Sequence, residues 1–263
     1  MQESKTELTA PADDLKLIAE AAREAGEIAL RYFKRDPEVW WKEGDSPVSA
    51  ADFAVDKFLK ETLSAARPDY GWLSEETVDR SERLQARRTF VVDPIDGTRA
   101  FIGGRDIWCV SIAVVEDGRS IAGVLDCPAL NEVYTAAVGE GAFGNGKTLS
   151  VGRERNKLKI AGARPMINRL PQDMLKRVDV PAHIPSLAYR IAMVANGALD
   201  ATFVKPFSHD WDLAAADLIL SEAGGLLLDG KGRRPYLAGE DPEKGELAAG
   251  SGGLLRIMTW TLE

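Results

Sequence analysis

The stretch Val91-Val92-Asp93-Pro94-Ile95-Asp96-Gly97-Thr98-Arg99-Ala100-Phe101 decides the reading of this chain. Phe90, Val91 and Val92 predict a buried strand. That strand delivers two aspartates, a glycine and a threonine to one end. Pro94 keeps the aspartates out of a helix interior, so Asp93 and Asp96 can turn toward one point. Two carboxylates that close repel each other, and a divalent cation removes the repulsion. An all-oxygen donor set favours magnesium, manganese or calcium over zinc, which usually takes some nitrogen or sulfur. The Ile95 carbonyl lies between the acids and can complete the shell. Gly97 and Thr98 offer backbone amides where a helix can begin, a ready anion site.

An Asp-Gly turn after a core strand is common by itself, so the other acids decide whether this one is chemical. Trp72-Leu73-Ser74-Glu75-Glu76-Thr77 places two acids after a short apolar strand, pointing to different sides, so only one can readily face a site. Asp52 falls in the first turn of a predicted helix, where acids are favoured anyway. Asp212, in Ser208-His209-Asp210-Trp211-Asp212, precedes a strongly helical apolar stretch and can be an N-terminal acid and a ligand together. His183 and His209 stand apart from other nitrogen or sulfur ligands and do not read as metal ligands. Asp210 and Asp217 read as structural.

Taken in order, the Ala-Gly-Glu element at 25–27, Asp52, Glu75-Glu76, the Asp93 to Thr98 string and Trp211-Asp212 through Gly224-Gly225 resemble the signature of the inositol monophosphatase family over most of the chain. The resemblance implies an α/β (α+β) fold in alternating αβαβα layers, usually as a homodimer. It implies a magnesium-dependent, lithium-sensitive phosphomonoesterase working with two or three Mg2+ ions. By that likeness Glu75, Asp93 and the Ile95 carbonyl hold one magnesium, and Asp93, Asp96 and Asp212 hold a second. Thr98, helped by Asp52 and alongside Glu75, orients or deprotonates the attacking water. Asp96 and the Gly97 and Thr98 amides are expected at the substrate.

Substrate identity is where this chain departs from the inositol-specific pattern. Lys205 stands where those members carry an acidic residue that contacts sugar hydroxyls. Arg99, Arg190 and Lys205 could together favour a substrate with extra negative charge, against the plain alternative of solvated surface cations. Inositol 1-phosphate, a 3'(2'),5'-bisphosphate nucleotide and histidinol phosphate all stay open, with inositol phosphate as the reference. A bacterial relative of similar type binds transcription antitermination machinery, so a non-catalytic partner role is the alternative of another class.

Composition narrows the setting. With 263 residues the chain can bury a sizeable core as one large domain or two small ones. A net charge of -8 argues against wholesale binding to nucleic acid or anionic membrane. Cys109 and Cys127 lie in apolar runs, as reduced packed thiols do. No apolar run suggests a signal peptide or membrane span, so a cytoplasmic location is expected.

Helices are expected from Pro11 to before Pro37, from about Ser49 to Arg67, over 188–196 closed by Gly197, and immediately after Asp212. Phe53, Phe58, Leu59 and Leu63 are the expected contacts of the second. Val39 to Trp41 reads as extended, 42–47 as a polar loop and 1–10 as a loose tail. Three strands within 110–136 suggest an antiparallel meander, and Gly139, Gly141, Gly144 and Gly146 read as tight hairpin turns rather than a phosphate loop. Strands are expected at 158–161 and 199–204, and part of a short helix over 172–178. The polar run 152–157 is the best internal boundary, giving an N-terminal half 1–152 and a C-terminal half 153–263 with the site between them.

Overall fold

The computed structural model describes residues 9–42, 46–152 and 155–262. Parts of the expected tail, polar loop and boundary run, at 1–8, 43–45 and 153–154, lie outside the described residues. In chain order the elements are α1 Pro11–Tyr32, β1 Val39–Lys42, β2 Ser46–Ser49, α2 Ala50–Ala66, β3 Gly71–Ser74, β4 Arg88–Asp96, α3 Thr98–Ile102, β5 Cys109–Glu116, β6 Arg119–Cys127, β7 Glu132–Ala137, β8 Gly141–Gly144 and β9 Lys147–Thr148. There follow β10 Leu158–Ala161, α4 Arg164–Ile167, α5 Gln172–Leu175, β11 Val178–Asp179, α6 Leu187–Ala195, β12 Ala201–Val204, β13 Ser208–His209, α7 Asp210–Glu222, β14 Leu226–Leu228, β15 Glu243–Lys244, β16 Leu247–Gly250 and α8 Gly252–Trp260.

Strands β3 to β9 form one seven-stranded sheet in sequence order, antiparallel except for the parallel β3–β4 pair. A second sheet runs β11-β10-β12-β16-β14. Period-two alternation sends opposite faces of each strand into different cores. Phe90 and Val92 of β4 pack with Ile18, Ala25, Val55 and Leu59 of α1 and α2. Val91 faces the other way, into the core that holds α6 and α7. Val204 and Ala249 of the second sheet enter that same central core, while Phe203 and Ala248 turn outward to Met166, Leu255 and Met258. The result is the expected five-layer order: α1/α2, seven-stranded sheet, α6/α7, five-stranded sheet, α4/α8. No helix among the described residues is long and apolar enough to cross a membrane.

Several local expectations change. The loop expected at 42–47 partly pairs as a hairpin, with Lys42 opposite Ser46 and Trp41 opposite Pro47. Phe53 is 45% exposed, not a core contact, and its ring meets Trp40 of that hairpin at 5.6 Å. The helix expected over 172–178 stops at Leu175, and Val178 pairs with Leu158 instead. The α7 helix begins at Asp210, two residues before Asp212, because the His209 amide and the Asp212 carboxylate close a capping interaction. The meander, and the glycine turns at 139, 141 and 146 with positive φ, are as expected.

The close approach of α7 to β6 depends on Gly123. A Cβ there would sit 3.1 Å from both the Cα and the carbonyl oxygen of Ala215. Backbone atoms in the middle of a buried helix cannot step aside cheaply. Gly123→Val is expected to lower stability by about 1–3 kcal/mol through overpacking, read as a reduced urea midpoint at unchanged slope. An unchanged midpoint would show that the α7 layer is not packed as described.

Candidate active site

Each functional side chain is delivered by the end of an element. Strand β4 is buried along its whole length, and its pairing with β5 shifts between Asp93↔Ser111 and Asp96↔Cys109. Pro94, with no N–H to give a ladder, sits inside that irregularity. The shift lets Asp93 and Asp96 turn to one side, and the Asp93 Oδ1 accepts the Ile95 amide at 3.0 Å. Strand β3 lies parallel to β4, and the Glu75 amide reaches the Val92 carbonyl at 3.3 Å, so Glu75 arrives beside the two aspartates. Asp212 comes from the first turn of α7. One carboxylate oxygen from each of Asp93, Asp96 and Asp212 lies within 4.8 Å of the others.

These acids line a cleft of about 240 Å3 together with Glu75, Ile95, Gly97 and Thr98. Glu76 does not line it; its side chain is 2% exposed and takes the Lys42 ammonium at 2.6 Å, while Glu75 takes the same ammonium at 3.3 Å. Thr98 Oγ1 lies 3.0 Å from the Ile95 carbonyl and 3.3 Å from Asp52 Oδ1. Its single hydrogen serves one of them at a time, which leaves the hydroxyl oxygen able to accept from a water. Asp52 is fixed by the α2 cap, its Oδ2 accepting the Ser49 amide at 2.8 Å and the Ser49 hydroxyl at 2.6 Å. Gly97 caps α3 at φ 99°, a backbone region that favours glycine, and a Cβ there would meet Ser186 Cβ at 3.3 Å.

Arg190 and Lys205 are absent from this cleft. Both line a larger neighbouring cavity of about 720 Å3, which shares Asp96, Arg99, His183 and Asp212 with it. Ser186 was invisible to sequence reading. Its hydroxyl donates to Asp96 Oδ2, whose oxygens also accept the Ala188 amide at 2.7 Å and the Leu187 amide at 3.2 Å. Asp96 is thus seated on the N-terminus of α6. The available signal was Pro185-Ser186 before an apolar helix, a capping pattern that names no distant partner.

A family model, inositol monophosphatase family, matches residues 11–260. The chain belongs to the inositol monophosphatase family. A histidinol-phosphatase of Chlorobaculum parvum is 34% identical over 86% of this chain and 90% of its own length. A 3'(2'),5'-bisphosphate nucleotidase CysQ of Aggregatibacter actinomycetemcomitans is 32% identical over 82% and 84%. The solved structure of the extragenic suppressor protein suhB from Bartonella henselae superposes with a TM-score of 0.83 at 27% identity, covering 95% and 98%. The protein is therefore a metal-dependent phosphatase of this family, with relatives that carry different substrate names.

The electrostatics of this phosphatase fit a cation. Burial pushes Asp93 and Asp212 well above the ordinary carboxylate range; the neighbouring carboxylates, Glu75 first for Asp93 and Asp96 first for Asp212, push the same way. Asp96 is raised by burial too, opposed by the Ser186 hydroxyl and the α6 amides. Burial lifts Asp52 to about 6 and Glu76 to about 7, against the pull of Ser49 and Lys42 respectively. For Lys42 burial works the other way, but Glu75 and Glu76 outweigh it and its pKa is raised. Buried oxygens that disfavour their own charge are a donor set for a hard divalent ion.

A pH dependence follows. Free Asp and Glu titrate near about 3.9 and 4.3, so between about pH 4 and 7 the folded metal-free state binds more protons than the unfolded chain. The contribution of Asp52 and Glu76 is fully present below their unfolded values and is lost as pH rises through about 6 and 7. Metal-free protein is expected to melt lower at pH 7.5 than at pH 5, and Mg2+ to raise the melting temperature more at pH 7.5. A metal-free protein that melts higher at pH 7.5 and ignores Mg2+ would contradict this.

Proposed function

We propose that the protein is a Mg2+-dependent phosphomonoesterase that hydrolyses a small phosphorylated alcohol by attack of water, inositol monophosphatase-like in its chemistry. The observation that carries this reading is the meeting of Asp93, Asp96 and Asp212 oxygens within 4.8 Å in a buried cleft. Glu75, Asp93 and the Ile95 carbonyl would hold one cation, and Asp93, Asp96 and Asp212 a second. When bound, such cations supply Lewis-acid stabilisation of phosphoryl oxygens and lower the pKa of a nearby water.

The chain's own residues do the rest. Thr98 Oγ1 accepts a hydrogen from the attacking water and orients its lone pair toward phosphorus. Asp52, held by Ser49 and adjoining Thr98, is placed to take the released proton with Glu75. The Gly97 and Thr98 amides face the phosphate oxygens as charge builds on them. Ser186 and the α6 amides keep Asp96 from turning away.

Asp93→Asn or Asp212→Asn is expected to lower kcat/KM by roughly 10^3-fold or more while the fold persists. Asp93→Asn should also raise the melting temperature of the metal-free protein, since it removes a buried repulsion. Ser186→Ala is expected to weaken Mg2+ activation about 10–100-fold, with the maximal rate largely recovered at high Mg2+. Phosphate release from inositol 1-phosphate, adenosine 3',5'-bisphosphate and histidinol phosphate, with Mg2+, with chelator and with added Li+, measures all three variants. Near-normal turnover of either aspartate variant would sink the assignment.

A second reading concerns the alcohol. Four cationic side chains, Arg99, Arg164, Arg190 and Lys205, line the larger cavity against two carboxylates, Asp96 and Asp212 of the acid cluster. That balance favours a substrate with an anionic group beyond the scissile phosphate over a neutral polyol or a cationic amine.

A further inference from the structure

The turn between β12 and β13 carries a feature that folding does not account for. Phe207 is 72% exposed and holds φ 67°, a left-handed conformation that large side chains rarely adopt. Its amide donates to the Lys244 carbonyl at 2.9 Å, and the β13–β15 bridge continues from Ser208 opposite Lys244, so the conformation is held on both sides. A turn of this shape is served best by Gly or Asn. Packing gains little from a ring that is three-quarters in solvent. Backbone strain with an exposed side chain points to use of that side chain.

Phe207 is among the residues lining the 720 Å3 cavity, which shares Asp96 and Asp212 with the acid cleft. Arg164, Arg190 and Lys205 line the same cavity. Among the described residues no carboxylate pairs with Arg164 or Lys205, and the buried Nε of Arg190 has no hydrogen-bond partner. A buried guanidinium nitrogen without an acceptor costs free energy until a ligand supplies one. An exposed aromatic residue lining the same cavity as these three cationic side chains suits a ligand that is flat at one point and anionic at another.

We propose that Phe207 is a specificity-determining platform, stacking on the base of a nucleotide substrate while Arg190 and Lys205 take an anionic group outside the scissile phosphate. The proposal rests on the phosphomonoesterase reading of the acid cleft and deepens it. A polyol phosphate would leave the ring and the cations idle. Histidinol phosphate would bring a ring but also a positive charge among three cations. The cavity has the size of a usual small-ligand site, and the nucleotide's ester phosphate would extend from it into the adjoining cleft.

The test compares substrates with and without a base, at one phosphate and at two: adenosine 2'-monophosphate against glycerol 2-phosphate, and adenosine 3',5'-bisphosphate against inositol 1,4-bisphosphate. Phe207→Leu is expected to raise KM for both adenosine substrates about 10-fold, leaving kcat and both base-free substrates within about twofold. Phe207→Trp should restore the adenosine KM. Binding of 2-aminopurine riboside 3',5'-bisphosphate to the wild type should quench the probe's fluorescence, and Phe207→Leu should remove the quenching. Equal effects on all four substrates, or none, would overturn the platform. Hydrolysis of the base-free esters alone would overturn it while the phosphatase reading stands. Release from none of the four, with inositol 1-phosphate and histidinol phosphate also inert, would remove the phosphatase reading and the platform with it, whereas release from either of those two alone would overturn only the platform. Equal wild-type kcat/KM for the adenosine mono- and bisphosphate would overturn the second-anion role of Arg190 and Lys205, leaving the ring role to be judged by KM.

Discussion

Mutual repulsion among buried carboxylates is the constraint on which the rest of this structure depends. Asp93, Asp96 and Asp212, with oxygens within 4.8 Å of one another, repel strongly when all are ionised without a counter-charge. The fold supplies part of that charge from its backbone. Asp52, Asp96 and Asp212 each sit at the N-terminus of a helix, on α2, α6 and α7 respectively. Amides at a helix start carry positive potential, typically worth about 0.3–1 kcal/mol per exposed acid and more when partly buried. That offsets the repulsion only partly, because burial still raises all four groups. The repulsion that remains favours a divalent cation among these oxygens.

The layered architecture makes such a cluster possible. Helices α6 and α7 are covered on both sides by sheets, and eight consecutive residues of α7, Leu213 to Leu220, are buried. The small residues Ala214, Ala215 and Ala216, with Gly123 beneath Ala215, let α7 lie close on β6. Close seating of the helix fixes the depth at which Asp212 enters the cleft. Packing here is therefore part of the site: a shift of α7 by the width of a methyl group would move one acid relative to the two on β4.

What was legible in the sequence was whatever chemistry is local in the chain. Asp93, Ile95, Asp96, Gly97 and Thr98 lie within six residues, and the bulged end of one strand brings them together, so spacing and turn residues revealed them. The apolar runs of β4, β5 and β6 and the apolar stripes of α1 and α2 were readable for the same reason. Ser186 was not, because its partner Asp96 is 90 residues away and only the tertiary fold joins them. The two-residue strands β9, β11, β13 and β15 are too short to carry a period, and they exist because a neighbouring strand accepts them. Phe53 misled because an apolar residue at helical spacing looks the same whether it meets a core or, as here, an exposed Trp40.

The two adjoining cavities differ in charge balance: the cleft gathers Glu75, Asp93, Asp96 and Asp212 against Arg99 and Arg105, and the larger cavity Arg99, Arg164, Arg190 and Lys205 against Asp96 and Asp212. Carboxylates outnumber arginines in the cleft, which disfavours a bare phosphate there and favours a cation. The larger cavity presents Arg164, Arg190 and Lys205, and for Arg190 burial lowers the pKa while Asp96 pulls it back. Asp96 thus belongs to both sides, touching the α6 N-terminus and sensing the Arg190 charge. A change in cation occupancy alters the field at Arg190, and an anion beside Arg190 alters the field at Asp96. Asp96 and Asp212 line both cavities, so a cation held in the cleft and an anion in the larger cavity would act on the same carboxylates, and each would favour the other's binding.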